Sequence, residues 1–242
     1  MATSIDAFTS DPVRLRERRF FLGMAAGIAL IVLVAFGGYI VAGISSFNAP
    51  WWVHLHALLY TGWIALYLNQ NWLIVRGASA RHAQMGRIMA VWMVAMVIVG
   101  IAILFASVSA HRSPPPVFSA GMLFVMDGLH VLGFAGLVCA GLALRAHSDW
   151  HKRLMLSATI VIIAPAFGRL TVLTIGFSWL AIIVCQLAMI AAGGVFDWLT
   201  YRRVHRAYIW GAAVIISVGV LAPWLAEQPA VIGFAKSVAA GG

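Results

Sequence analysis

The sequence predicts an all-α polytopic membrane protein of seven transmembrane helices, N-terminus cytoplasmic and C-terminus external. Three observations predict it. Seven apolar stretches, each near the roughly 20 residues that cross a bilayer, fill almost all of the 242-residue chain. Hydrophobic residues make up 63% and charged residues 10%, with a mean hydropathy of +0.97, far outside ordinary globular usage. Lys and Arg fall on alternate gaps between the stretches, the pattern of loops retained in the cytoplasm.

The spans are expected near 20–44, 51–74, 86–108, 117–144, 153–176, 177–199 and 207–226. Helix 1 follows Arg14, Arg16, Arg18 and Arg19. Its apolar run is too long for a signal-peptide core and no clear small-x-small site follows, so it reads as a signal anchor. Helix 2 carries His56, Tyr60, Trp63, Tyr67 and Gln70 at helical spacing, a polar-aromatic stripe along one face. Such a stripe faces protein, or else its rings are interface anchors and its His56 and Gln70 bond neighbouring helices. His54 points nearly the opposite way from His56.

Arg76, Arg81 and Arg87 separate helices 2 and 3, and the stiff Pro114–Pro116 connector precedes helix 4. Helix 4 places Asp127 and His130 on one face at i, i+3. If its outer end protrudes and it enters the bilayer near Met122, these residues lie about 7 and 12 Å deep, level with His56. Arg145, Lys152 and Arg153 precede helix 5, where Pro165 frees the Val161 carbonyl and kinks the helix ahead of Arg169. Arg202, Arg203 and Arg206 separate helices 6 and 7, and the absence of Lys from helix 7 argues against a retinal Schiff base. Only Arg112 and Lys236 fall on the opposite side.

The chain reads as one domain, 1–242, with a basic tail at 1–18 and a flexible external tail at 227–242. A net charge of +9 raises nucleic-acid binding, but the cations spread along one membrane face, where they meet anionic lipid headgroups. The partner is therefore the bilayer and not a nucleic acid. Cys139 and Cys185 both lie within predicted helices and form no disulfide framework. No zincin, CxxCH, P-loop or dinucleotide motif occurs.

Ionisable residues inside a bilayer are costly and normally face partners or a pathway. Three function classes follow. The first is a b-type haem redox protein, with His56 and His130 as axial ligands on facing helices, His54 as a substitute and Tyr60 beside them. The second is a metal-dependent intramembrane hydrolase or lipid enzyme, with His56, Asp127 and His130 holding a divalent ion such as zinc and Arg169 binding an anionic group. The third has no cofactor: a transporter, sensor or assembly subunit whose Asp127–Arg169 pair sets register or switches. All three put the pocket in the outer half of the bundle.

A second cluster sits at the cytoplasmic rim, where His82 accompanies Arg81 and Arg87, and Asp149 precedes His151, Lys152 and Arg153. Asp149 is placed to cap helix 5 in a solvated loop. Alternatively, His151, Lys152 and Arg153 bind a headgroup or another anion. If the outer pocket fails, the rim around Gln70, His82 and His151 is the better candidate.

The run from His56 through Trp63 to Gln70, RHAQMGR at Arg81–Arg87, Asp127, and HKRLMLSAT at His151–Thr159 followed by Arg169 resemble a widespread family of uncharacterised multi-helix proteins of the bacterial inner membrane. The resemblance spans about residues 51–200 and implies a fold without an established activity. The chain departs from that pattern at Gln84 and at His130.

Overall fold

The computed structural model describes residues 11–109 and 119–240, so Arg112 and the Pro114–Pro116 connector lie outside the described residues. The described chain is all-α. Its helices are α1 (Pro12–Val41), α2 (Trp51–Val75), α3 (Ser79–Ser109), α4 (Ala120–Ala143), α5 (Ser148–Ile162), α6 (Ala164–Thr174), α7 (Trp179–Tyr201), α8 (Ala207–Ala226) and α9 (Pro229–Ala240).

Local chemistry sets the ends. Asp11 caps α1 by accepting from the Val13 amide at 2.9 Å, with Pro12 in the first turn. Ser119 and Ser178 cap α4 and α7 in the same way. Gly77, at a φ of 71°, closes α2 in the left-handed conformation that glycine adopts without strain, and so turns the chain straight into α3.

The helices form a ring around one pillar. α1, α2, α3, α4, α8, α7 and α6 each pack on the next, and α6 returns to α1. α5 runs inside this ring, with every residue from Arg153 to Ile162 buried. A helix buried all round needs no amphipathic stripe. Trp63 of α2 reaches it, donating to Thr159 Oγ1 at 3.3 Å.

α1, α3, α4, α7 and α8 are each long and apolar enough to cross a membrane, and α5 with α6 forms a sixth such unit bent by 46°. The chain is thus a multi-pass membrane protein by the composition of its helices. α2 has the length, with 25 residues, but its polar stripe keeps it outside that apolar set.

Four expectations change in detail. α1 begins at Pro12, so the latter part of the expected basic tail is helix and Glu17 is buried. The Arg81–Arg87 run forms the first turns of α3 and not a loop. The fifth span breaks at Ile163, because Pro165 has no amide to offer Val161. The Gln186 side chain, 1% exposed, donates instead to Ile160 O at 3.0 Å and Val161 O at 3.1 Å. Finally, residues 229–240 of the expected flexible tail form α9, which packs on α3 and α4 and buries Ala235. Its Phe234 meets Phe105 and Phe124, an aromatic contact that holds a short helix in place.

Candidate ligand-binding site

The outer residues expected to form a site are near one another without forming one. His56 stacks on Tyr60 at 4.0 Å between ring centroids, and Tyr60 donates its hydroxyl to Met96 O of α3 at 3.3 Å. His130 is buried, and its Nδ1 lies 2.8 Å from Met126 O one turn back in its own helix. His54 is exposed on the other face of α2, so it is no substitute for His56. Among the described residues no three His, Cys, Asp or Glu side chains are grouped to hold a metal ion, so His56, Asp127 and His130 are not the expected triad.

Asp127 and Arg169 form no ion pair either. The break at Ile163 turns α6 onto α1. Arg169 therefore lies over the Phe36 ring at 4.1 Å and near the Tyr39 ring at 5.3 Å, and donates to Pro165 O. Its charge still reaches Asp127 and His56 through space, as that of Asp127 reaches Tyr60. These groups do not share a common contact.

The cavity lies at the other end. About 1060 Å³ in volume, it is lined from the start of α1, the α2–α3 turn, the α4–α5 turn and the α7–α8 turn. All four basic segments of the sequence converge on this one space, as an alternating up-and-down path requires. α2 grades it from mouth to floor. Ile74 is nearest the turn, then Gln70 and Tyr67, then Trp63, with Gln70 and Trp63 about 10 Å apart along the axis. Arg18, Arg87, Arg145 and Arg203 also line it, as do the apolar Phe21, Met89, Val138 and Met155.

One flank is locked by ion pairs that span three helices. Arg153, 2% exposed, donates from Nε to Asp197 Oδ2 at 2.9 Å and from Nη2 to Asp197 Oδ1, joining α5 to α7. The same Nη2 reaches Glu17 of α1 at 3.3 Å. Lys152 lies 2.7 Å from Glu17 and 2.6 Å from Asp149. Lys152 and Arg153 are thus spent on acids within the protein, which corrects their expected role as anion binders. Asp149 is also not the cap of α5, since its carboxylate turns to Lys152.

Buried polar atoms without a hydrogen bond include His56 Nδ1 at the outer end, and those that line the cavity are on its opposite wall. The Tyr67 hydroxyl, Gln70 Oε1 and His82 Nδ1 are buried and make no hydrogen bond, although Tyr67 and Gln70 are only 4% and 6% exposed. Burying such groups unpaired costs about 1–3 kcal/mol each. Gln70 Nε2 donates to the His82 carbonyl at 3.3 Å, which ties α2 to the first turn of α3. His151 faces His82 from α5 with ring centroids 6.2 Å apart, and its Nδ1 lies 2.8 Å from Gly141 O.

Of the expected rim cluster, Gln70, His82 and His151 are therefore brought together with Tyr67. Glu17 and Asp197 were missed. Both were open to the rule that singled out Asp127: each is an acid within a predominantly apolar helix, close in sequence to several arginines. No protein-family model, curated protein or solved structure matches the chain.

Proposed function

We propose that this chain is a seven-span protein of the bacterial cytoplasmic membrane that binds an anionic amphiphile in the basic-end cavity. The distribution of Lys and Arg supports a cytoplasmic mouth. α2 supports the seventh crossing, since its 25 residues rise about 37 Å and it packs between α1 and α3. The external C-terminus of this topology follows from the odd count.

The observation that carries the ligand reading is the grading of the cavity: arginines at the mouth, orphaned Tyr67 and Gln70 with two histidines at mid-depth, and Trp63 among apolar side chains at the floor. After Lys152 and Arg153 are paired with acids, Arg18, Arg87, Arg145 and Arg203 have no acidic partner among the described residues. A negative group at the mouth satisfies them, and an apolar body fills the floor. The size, about 1060 Å³, lies just above the usual range of small-molecule sites, about 300–1,000 Å³. Tyr67 and Gln70 then fix orientation by hydrogen bonds that water or a ligand must supply.

Trp63 fluorescence tests this, read as the difference between the protein and Trp63→Phe in a non-ionic detergent. Hexadecyl phosphate should quench it saturably, hexadecyltrimethylammonium should not, and Arg87→Glu with Arg145→Glu should weaken the phosphate at least tenfold. Equal quenching by both amphiphiles, or indifference to the charge reversal, would overturn the reading. Reporter fusions after Ala78 and Ala146 should read cytoplasmic and a fusion after Phe47 external; an external reading after Ala146 removes the topology.

A further inference from the structure

We infer that His82 and His151 are trans ligands to one transition-metal ion, carried into the cavity within a planar anionic macrocycle of the porphyrin class. This rests on the cavity being the ligand site and names what the site takes.

The donor atoms come first. With its Nδ1–H given to Gly141 O, His151 keeps the Nε2 lone pair for a metal, the outer-shell arrangement that orients metal-bound imidazoles. His82 has a buried Nδ1 with no hydrogen bond, and its backbone is held by Gln70. The two rings come from the first turns of α3 and α5, rigid elements on either side of the cavity.

Distance then selects the geometry. With a metal–nitrogen bond of about 2.0–2.1 Å a bound imidazole has its centre about 3.2 Å from the metal. Two such rings are then separated by about 6.4 Å when trans, about 5.2 Å in a tetrahedral site and about 4.5 Å when cis. The observed 6.2 Å, between rings set edge-on, lies nearest the trans separation, which both rings meet when their free nitrogens turn to the midpoint. The 86° between ring planes is compatible with it, since each ring turns freely about the metal–nitrogen axis. Trans imidazoles leave the equatorial positions to other donors, and among the described residues no third His, Cys, Asp or Glu supplies them. A planar tetradentate macrocycle does.

Charge points the same way. A bare dication would enter a cavity where Arg18, Arg87, Arg145 and Arg203 have no acidic partner among the described residues, whereas a macrocycle bearing carboxylates offers them counter-ions. Trp63, Phe21, Met89 and Met155 provide apolar surface for its faces. Binding is coordination alone: each neutral imidazole supplies an electron pair, the ligands previously on the metal leave, and no oxidation state changes.

Purified full-length protein in detergent is titrated with hemin, with metal-free protoporphyrin and with zinc alone, and the hemin complex is read by its optical spectrum. A 1:1 six-coordinate low-spin spectrum is expected, replaced by a high-spin one with at least tenfold weaker binding in His82→Ala and in His151→Ala. His151→Met, which returns a ligand, should restore a low-spin spectrum at altered wavelengths, and His56→Ala and His130→Ala should leave the spectrum unchanged. Variants are judged only where gel filtration shows one monodisperse species; His82→Gln serves where the alanine variant does not fold. Loss of the low-spin spectrum in His56→Ala or His130→Ala would overturn the assignment in favour of the outer pair. Zinc binding that needs His82 and His151 without any hemin spectrum would overturn the macrocycle. Equal binding of hemin and metal-free porphyrin, indifferent to both histidines, would overturn coordination while leaving the anionic-amphiphile reading standing. Failure of hexadecyl phosphate and both porphyrins would remove the two together.

Discussion

Arg153 and Asp197 face each other through a two-point ion pair between the central helix and α7, with side chains 3% and 1% exposed. The rings of Phe21, Tyr201 and Tyr208 lie about the guanidinium at 5.8–6.0 Å, so water is largely replaced by aromatic faces. Removing one partner leaves the other charge buried, which costs about 3–5 kcal/mol. Asp197→Asn and Arg153→Gln should each lower stability by that order in mixed-micelle denaturation. The double variant should lose less than the sum, by about 1–3 kcal/mol. Strict additivity would show that the pair carries no coupling.

Gln186 and Pro165 are coupled through carbonyls and do not touch by necessity. Pro165 leaves Val161 O without its helical amide, and Gln186 supplies the donor. Gln186→Leu should therefore cost about 1–3 kcal/mol for each carbonyl left without a donor. Pro165→Ala restores an amide at that position, so Gln186→Leu should cost clearly less in that background. The same loss in both backgrounds would show that Gln186 matters only for packing.

The all-α, multi-pass character of the chain was readable because spanning length is a strong signal in a chain this apolar, whereas the seven expected spans meet five long apolar helices and one bent pair among the described residues. The break in the fifth span was readable at Pro165, and the inward face of α2 at Trp63, Tyr67 and Gln70, which the structure buries. The location of the cavity was not. His56, Asp127 and Arg169 were matched by depth, a one-dimensional measure, whereas the bend that lays Arg169 on Phe36 and Tyr39 is a matter of three-dimensional packing. Likewise, nothing in the spacing of Lys152 and Arg153 says that Glu17, well over a hundred residues earlier, and Asp197 absorb them.

The central pillar approaches α8 through small residues. A methyl group added at Gly211 would lie 2.6 Å from Cβ and Oγ of Ser157, which is fully buried, and 3.1 Å from Ile190 Cδ1. Ser157 Cβ cannot swing away, so Gly211→Ala must push α5 and α8 apart. A loss of about 1–3 kcal/mol is expected, seen as a lower melting temperature in detergent. Ser157→Gly should recover part of it. Gly136→Ala is the control, since its added methyl meets nothing within 4 Å and should leave the melting temperature unchanged. Equal effects at Gly211 and Gly136 would place the close approach elsewhere.

His205, in the turn between α7 and α8, ties the locked flank to the next helix only while its ring is neutral. Its Nδ1 accepts from the Ala207 amide at 3.1 Å, its own amide donates to Asp197 Oδ2 at 3.1 Å, and its ring packs edge-on against Trp150. Partial burial, and then the charge of Arg153, hold its pKa below the ordinary value of 6.5; Asp197 and Asp149 oppose this and Lys152 adds to it. The folded chain thus binds this proton less readily than the unfolded chain, so the contribution is fully present above about pH 6.5 and falls as pH is lowered below it. Protonating Nδ1 also removes the acceptor for Ala207. The melting temperature should therefore decline between pH 7 and pH 5. His205→Asn keeps an acceptor and cannot titrate, so its decline across the same window should be shallower. Parallel pH profiles for the two proteins would show that another group sets the acid sensitivity.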